Sequence, residues 1–108
     1  MVHRIDAGAN GRLLDVRPGD ELQIELGENP TTGYRWRVAD VGDGLVATGS
    51  SYAPEGSGVG AGGRRTLVFR ALRPGLATLR LERSRAPDQH ASDPADRFEL
   101  TVRVGDEG

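Results

Sequence analysis

The sequence predicts an all-β fold. Four segments alternate apolar and polar residues with a period of two, the pattern of strands that turn one face to a core and the other to water. Their apolar positions are Leu22, Ile24 and Leu26; Leu67, Phe69 and Ala71; Ala77, Leu79 and Leu81; and Phe98, Leu100, Val102 and Val104. No segment carries the apolar stripe of a helix. We therefore expect an immunoglobulin-like antiparallel β-sandwich of seven to eight strands.

Shorter apolar segments and turn signals complete the predicted order of elements. Further strands are expected near residues 13–16, 34–38 and 45–48. Arg17-Pro18-Gly19-Asp20 and Arg73-Pro74-Gly75 are turn sequences, because proline presets a turn backbone and glycine accepts a positive φ. Each stands directly before an alternating segment, so each marks the start of a strand.

Length and composition narrow the class of protein. The 108 residues fit a single domain, residues 1–108, that can fold without stabilising disulfides or metal ions. The absence of cysteine excludes disulfides and thiolate chemistry within this chain. The net charge is −2, and all 14 basic residues are scattered arginines, a usage typical of a GC-rich genome, so we expect a bacterial source. Nucleic-acid binding needs clustered positive charge, so we expect no nucleic-acid partner.

Hydropathy predicts neither a membrane span nor a signal peptide in this sequence. No apolar run approaches the roughly 20 residues that cross a bilayer, so we expect no membrane association. The first residues lack the apolar segment of a signal peptide. We expect a cytoplasmic protein, or a periplasmic or secreted one if a signal has been removed. Nothing in the pattern indicates an obligate dimer, and a monomer is expected.

The connection after the segment that begins at Leu22 has an unusual composition. It reads Asn29-Pro30-Thr31-Thr32-Gly33. Pro30 fixes its own φ and biases Asn29 away from helix, while the two threonines are stiff at χ1. Gly33 permits a positive φ where the chain enters the next strand. These residues specify either a pre-ordered loop with exposed hydroxyls or an ordinary connection between strands.

The connection from Glu55 to Gly63 is rich in glycine. It contains the spacing G-x-G-x-x-G at Gly58, Gly60 and Gly63. That spacing binds dinucleotides only between a strand and a helix, and a strand is predicted to follow here. We therefore expect no nucleotide cofactor. The connection is either a flexible hairpin tip or a loop whose bare backbone can approach a partner closely.

The connection from Arg83 to Asp96 is long and polar. His90 stands among aspartates in it, but the spacing matches no metal motif. A triad of Ser84, His90 and an aspartate would lack an oxyanion hole and a nucleophile elbow. We therefore expect no metal, no cofactor and no catalytic residues, and we expect that the protein is not an enzyme.

Two motifs in these connections resemble the chagasin family of inhibitors of papain-like cysteine proteases. The first is Asn29-Pro30-Thr31-Thr32-Gly33-Tyr34 with Trp36 two positions on, and the second is Gly60-Ala61-Gly62-Gly63. The spacing of Phe69, Gly75 and Leu79 is also similar to the family. The third family motif, R-P-W, is replaced here by Arg83-Ser84-Arg85.

The resemblance implies a reversible, non-covalent inhibitor that blocks the active-site cleft of a papain-like cysteine protease with three loops at one end of the sandwich. The threonine loop would enter the cleft, and the other two loops would cover its sides. The implied protease-binding residues are Asn29, Pro30, Thr31, Thr32, Gly33, Tyr34, Gly60, Ala61, Gly62, Gly63, Arg83, Ser84 and Arg85. Loss of the third-loop aromatic would weaken or redirect binding, because buried aromatics are frequent interface anchors.

An immunoglobulin-like binding or adhesion module, for a protein or a carbohydrate, is the alternative function. Carbohydrate modules usually display aromatic side chains as platforms for sugars. Only five aromatic residues are present, and Trp36, Phe69 and Phe98 fit core positions. The composition therefore favours the inhibitor over the carbohydrate module.

Overall fold

The computed structural model of the chain describes residues 1–29, 33–55, 62–85 and 96–105. Within these residues, eight strands form two four-stranded sheets, ordered β1-β3-β6-β5 and β2-β8-β7-β4. The strands are β1 Val2–Ile5, β2 Leu13–Val16, β3 Glu21–Glu28, β4 Tyr34–Asp40, β5 Leu45–Pro54, β6 Gly63–Ala71, β7 Gly75–Arg85 and β8 Asp96–Val104, with a 3-10 turn at Ala7–Ala9. The predicted sandwich is confirmed.

The core lies between the two sheets and contains all thirteen inward apolar positions named above for the four alternating segments. Phe69 and Phe98 are the largest fully buried side chains, and one comes from each sheet. Burial of apolar area, at about 25 cal/mol per Å², is what holds two such sheets face to face. Trp36 closes the core at one end with 8% of its surface exposed, so its predicted core position is also confirmed.

Two edge pairings differ from a purely antiparallel sandwich. Strand β1 pairs with β3 in parallel, and β2 pairs with β8 in parallel. The 3-10 turn joins β1 to β2, so the amino-terminal segment adds one short strand to each sheet. Strand β1 was not predicted, because four residues with only Ile5 buried carry too little alternation to be recognised.

Strand direction brings three connections to the same end of the sandwich. Residues 29–33, 55–62 and 86–95 join β3 to β4, β5 to β6 and β7 to β8. In the first sheet, Glu28 pairs with Gly63, and Gly63 pairs with Pro54. In the second sheet, Tyr34 pairs with Arg85 at the same end. We call this end, defined by the outer ends of β3 to β8 that flank these connections, the loop end.

At the opposite end, the Asp20 carboxylate ties the amino terminus to the turn before β3. Its oxygens lie 2.9 Å from His3 Nε2, 3.1 Å from the Arg17 backbone nitrogen and 3.3 Å from the terminal ammonium of Met1. The hydrogen bond with His3, followed by that from the Arg17 amide, lowers the pKa of Asp20 from 3.8 to about 2. The folded chain therefore favours the ionised carboxylate.

We expect low pH to weaken the stabilising contacts of the Asp20 carboxylate. Because the unfolded chain binds a proton at Asp20 more readily than the folded chain, this contribution to stability is complete above about pH 4 and is lost as the pH falls towards 2. After solvent screening it amounts to about 1 kcal/mol. In Asp20→Asn, the unfolding free energy should be lower at pH 6 and should depend less on pH between 4 and 2, as measured by urea denaturation.

The control is Asp43→Asn, because Asp43 is exposed and makes no hydrogen bond or ion pair with another described residue. It should keep the pH profile of the original chain. Equal profiles for the original chain and Asp20→Asn would show that the tie does not contribute to acid stability.

Candidate functional site

The candidate site residues fall into two groups. Pro30, Thr31, Thr32, Gly60 and Ala61 lie outside the described residues. The others, Asn29, Gly33, Tyr34, Gly62, Gly63, Arg83, Ser84 and Arg85, all lie at the loop end, within or directly beside the strands that flank the three connections. Residues from three separate stretches of sequence are thus brought to one end of the molecule.

The first connection enters β4 through a left-handed glycine. Gly33 has φ +83°, a conformation that side-chain-bearing residues rarely adopt, so its predicted positive φ is confirmed. Tyr34 follows as the first residue of β4, is half-buried, and pairs with Arg85 of β7. The connection is therefore joined to the backbone ladder of the second sheet immediately after Gly33.

The residues that replace the third motif belong to a strand and not to a loop. Arg83, Ser84 and Arg85 are the last residues of β7, opposite Trp36, Arg35 and Tyr34. The sequence had indicated a connection beginning at Arg83. Pairing with β4 extends the strand through these three residues, beyond Leu81, the last apolar position of its alternation.

Trp36 ties the two sheets together near the first connection. Its indole Nε1–H donates to the Gly27 carbonyl at 2.8 Å, which joins β4 to β3 of the other sheet. The Arg83 guanidinium carbon lies 5.9 Å from the centre of the Trp36 ring, within the range of a cation–π contact. Arg83 Nη2 is 3.8 Å from the Asp96 carboxylate on β8. Trp36 therefore contacts the strands that flank both the first and the third connections.

A buried carboxylate lies beside Trp36. Glu28, the last residue of β3, is 3% exposed. Its Oε2 accepts the backbone N–H of Trp36 at 2.8 Å, and its Oε1 accepts Nε and Nη2 of Arg65 at 3.1 and 2.8 Å. Arg65 also donates from Nη1 to Ser50 Oγ at 3.1 Å and lies 5.6 Å from the centre of the Tyr52 ring. Four side chains and one backbone amide thus form one polar cluster.

Sequence reasoning did not single out this cluster, although a signal was present. Glu28 continues the inward positions of Leu22, Ile24 and Leu26, and Arg65 continues those of Leu67 and Phe69 in the opposite direction. Opposite charges at inward positions near two strand ends are a candidate buried pair, since buried charges are seldom left unpaired. Only the register, which sets Leu26 opposite Arg65, brings them together.

Gly63 is required by close packing at the base of the second connection. It is buried in β6 between Glu28 and Pro54. A Cβ atom at Gly63 would overlap the carbonyl oxygen of Ala53 and the phenol of Tyr52. At neighbouring Gly62 a Cβ would meet the Glu28 carbonyl at 3.5 Å, an ordinary contact. Of these two glycines, Gly63 is the one that the packing of the strands requires.

The described residues include neither a metal-binding cluster nor a membrane-spanning helix. No group of three or more histidine, aspartate or glutamate side chains is placed to hold a metal ion in this part of the chain. Asp88, His90 and Asp93 lie outside it. None of the described residues belongs to a helix of the length and apolar character that crosses a bilayer.

The architecture and the loop end define a class of protein: a β-sandwich of two four-stranded sheets with three connections between strands at one end. The family model described as chagasin family peptidase inhibitor I42 matches residues 15–102. The chain therefore belongs to the chagasin family of peptidase inhibitors.

Individual relatives agree with this assignment. A segment of 36 residues is 42% identical to chagasin from Trypanosoma cruzi, and it spans 33% of this chain and 33% of that relative. The crystal structure of the cysteine protease inhibitor EhICP2 from Entamoeba histolytica is similar over 95% of both chains, with 23% identity and a TM-score of 0.84. The solution structure of Amebosin is similar over 96% of this chain and 98% of its own, with 26% identity and a TM-score of 0.78.

The packing at Gly63 predicts a specific cost for a single methyl group. Gly63→Ala should lower the unfolding free energy by about 2 kcal/mol, because the backbone of β5 must move to make room. Gly27→Ala is the matched control, since Gly27 also lies in a strand at the loop end and a Cβ there meets nothing within 4 Å. Denaturant unfolding of both variants should give a large change for the first and a small one for the second; equal changes would contradict the predicted contact.

Proposed function

We propose that this protein is a reversible, non-covalent inhibitor of papain-like cysteine proteases that acts by filling the active-site cleft. The observation that carries the proposal is its membership of a family of peptidase inhibitors, whose model covers the strands that flank all three connections of the loop end. A cysteine protease inhibitor has a similar fold over 95% of both chains, which agrees with the proposed inhibition.

In this proposal, residues 29–34 enter the cleft, residues 60–63 line one side through their backbone, and residues 83–85 lie on the other side. The threonine hydroxyls of the first segment would meet the catalytic cysteine and histidine of the protease. The inhibitor would resist cleavage because a chain held in this turn offers no scissile carbonyl aligned for attack. Attachment of the turn to β3 and β4 reduces the conformational entropy lost on binding.

The third segment would contribute differently from the family motif. Arg83 is engaged with Trp36, and Ser84 takes part in the pairing of β7 with β4. Without an aromatic at residue 85, this side of the site lacks an apolar anchor. We therefore propose weaker binding to papain than a member with the complete R-P-W motif would show, or a different preferred protease.

The proposal extends to the activity and the source of the protein. The protein has no hydrolytic activity of its own, in keeping with a family of inhibitors. Its bacterial source stays a prediction from the arginine-only basic composition.

The test of the function is a titration of papain with the protein, followed as progress curves on a peptide substrate. We expect saturable inhibition that is relieved on dilution. Thr31→Ala/Thr32→Ala should raise the inhibition constant by about tenfold or more, because central interface residues carry most of the binding energy. The unfolding free energy should stay within about 0.5 kcal/mol of the original if the two threonines serve binding and not the fold.

Thr78→Ala/Thr101→Ala is the matched control, because this facing pair lies on β7 and β8 outside the candidate segments. It should inhibit like the original chain. If the folded protein leaves papain fully active at micromolar concentration, papain is not inhibited as proposed. If the Thr31/Thr32 variant inhibits as strongly as the original chain, the role proposed for the first segment is wrong.

Restoring the aromatic should tighten binding. We expect Arg85→Trp and Ser84→Pro/Arg85→Trp to lower the inhibition constant for papain by about tenfold, as an added interface anchor of 1–2 kcal/mol would. The single variant is needed because a proline at Ser84 removes a backbone donor within β7. Unchanged inhibition by both folded variants would argue that residues 83–85 do not occupy the position of the family's third motif.

A further inference from the structure

We propose that Glu28 is a positioning residue for inhibition: its buried carboxylate holds the first and second connections in a fixed relative position, so that both meet the protease as one unit. The inference rests on the proposed function and deepens it. Glu28 need not touch the protease, because it would act through the strands that carry the binding segments.

The Glu28 carboxylate joins the two strands that flank the first connection. Glu28 directly precedes residues 29–33, and the Trp36 amide that it accepts lies three residues after Gly33. The two strand ends that carry the connection are therefore joined by a charge-assisted hydrogen bond, which is stronger than one between neutral groups. The parallel tie from Trp36 Nε1 to the Gly27 carbonyl fixes the indole on the same strand.

The other oxygen of the Glu28 carboxylate binds a residue that follows the second connection. Arg65, which binds Oε1 through two nitrogens, lies on β6 just after that connection. Its guanidinium continues to Ser50 and Tyr52 on β5, the strand that precedes the connection. Through Glu28 and Arg65, the four strands that flank both connections meet in one cluster.

The cluster is needed at this position because of the sheet arrangement. Strands β3, β6 and β5 are already joined by backbone ladders within the first sheet. Strand β4 belongs to the second sheet and shares no ladder with any of them. At the loop end, side-chain bonds of Glu28 and Trp36 link β4 to β3. Loss of the carboxylate would therefore let the first connection shift against the second, and it would also lower stability, because the largely buried Arg65 guanidinium loses this partner.

The energetics favour a role in position over a role in stability. A buried ion pair contributes little net stability, because desolvation offsets much of the attraction, but it can hold a unique geometry. The Glu28 side chain is fully buried and the Arg65 side chain is 19% exposed. The stability of the fold comes from the apolar core between the sheets and not from the Glu28–Arg65 pair.

The test uses Glu28→Gln, Arg65→Met and the double variant in the full chain. At a temperature where denaturant unfolding shows every variant to be folded, each single change should raise the inhibition constant for papain by about tenfold, and the double change should cost little more than either one, since both remove the same link. Glu25→Gln and Arg64→Met are the matched controls, because this pair lies on the same two strands, 3.7 Å apart, with side chains 36% and 51% exposed. The controls should inhibit like the original chain.

A second measurement does not depend on inhibition. Arg65 bonds to the Glu28 carboxylate, which accepts the Trp36 amide, so transmission through Glu28 is the route by which Arg65→Met would alter exchange at Trp36. Amide hydrogen exchange at Trp36 should become about tenfold faster in Arg65→Met and in Glu28→Gln, and not in the controls. The emission of Trp36, the single tryptophan of the chain, should change in the same two variants.

The outcomes separate the two proposals. If the original chain does not inhibit papain, the proposed inhibition of papain fails, and the exchange data still decide whether Glu28 links the connections. If the original inhibits, and folded Glu28→Gln inhibits equally well with unchanged exchange at Trp36, Glu28 is not a positioning residue. Faster exchange with unchanged inhibition would also overturn the inference, because the link would exist without serving the site.

Discussion

Strands of different sheets share no backbone ladder, and this constraint governs the loop end. Apolar contact holds two sheets face to face but resists sliding weakly, because it has no direction. Directional contacts must therefore fix how the end of one sheet stands against the other. Here Glu28 and Trp36 supply these contacts through two hydrogen bonds. The backbone N–H of Trp36 donates to the Glu28 carboxylate, and the indole N–H of Trp36 donates to the Gly27 carbonyl.

The remaining features of the site build on that link. Arg65 extends the contact to β5 and β6, and Arg83, stacked on Trp36, extends it to β7. Gly63 permits the close packing of β5 that brings Tyr52 beside Arg65. A binding site made of three separate connections gains affinity when its parts are held in position before the partner arrives, because less conformational entropy is then lost.

The sequence predicted most of the fold and a set of candidate site residues whose role stays a prediction. Period-two alternation identified four strands and the core, and composition identified the three connections. The motif of residues 29–34 indicated the family, to which the chain belongs. These successes concern local properties: which face of a strand is apolar, where a backbone turns, and where glycine needs a positive φ, as at Gly33.

What the sequence by itself determined is thus the alternation that buries Leu22, Phe69, Leu79 and Phe98 and the backbone freedom that the turn at Gly33 requires. Only the tertiary structure decided the pairing of Glu28 with Arg65, the parallel edge strands, and the place of Arg83-Ser84-Arg85 within β7. The physical reason is that strand register and sheet order depend on contacts between residues far apart in the chain. Periodicity specifies the face that a residue occupies and leaves open which residue it meets there.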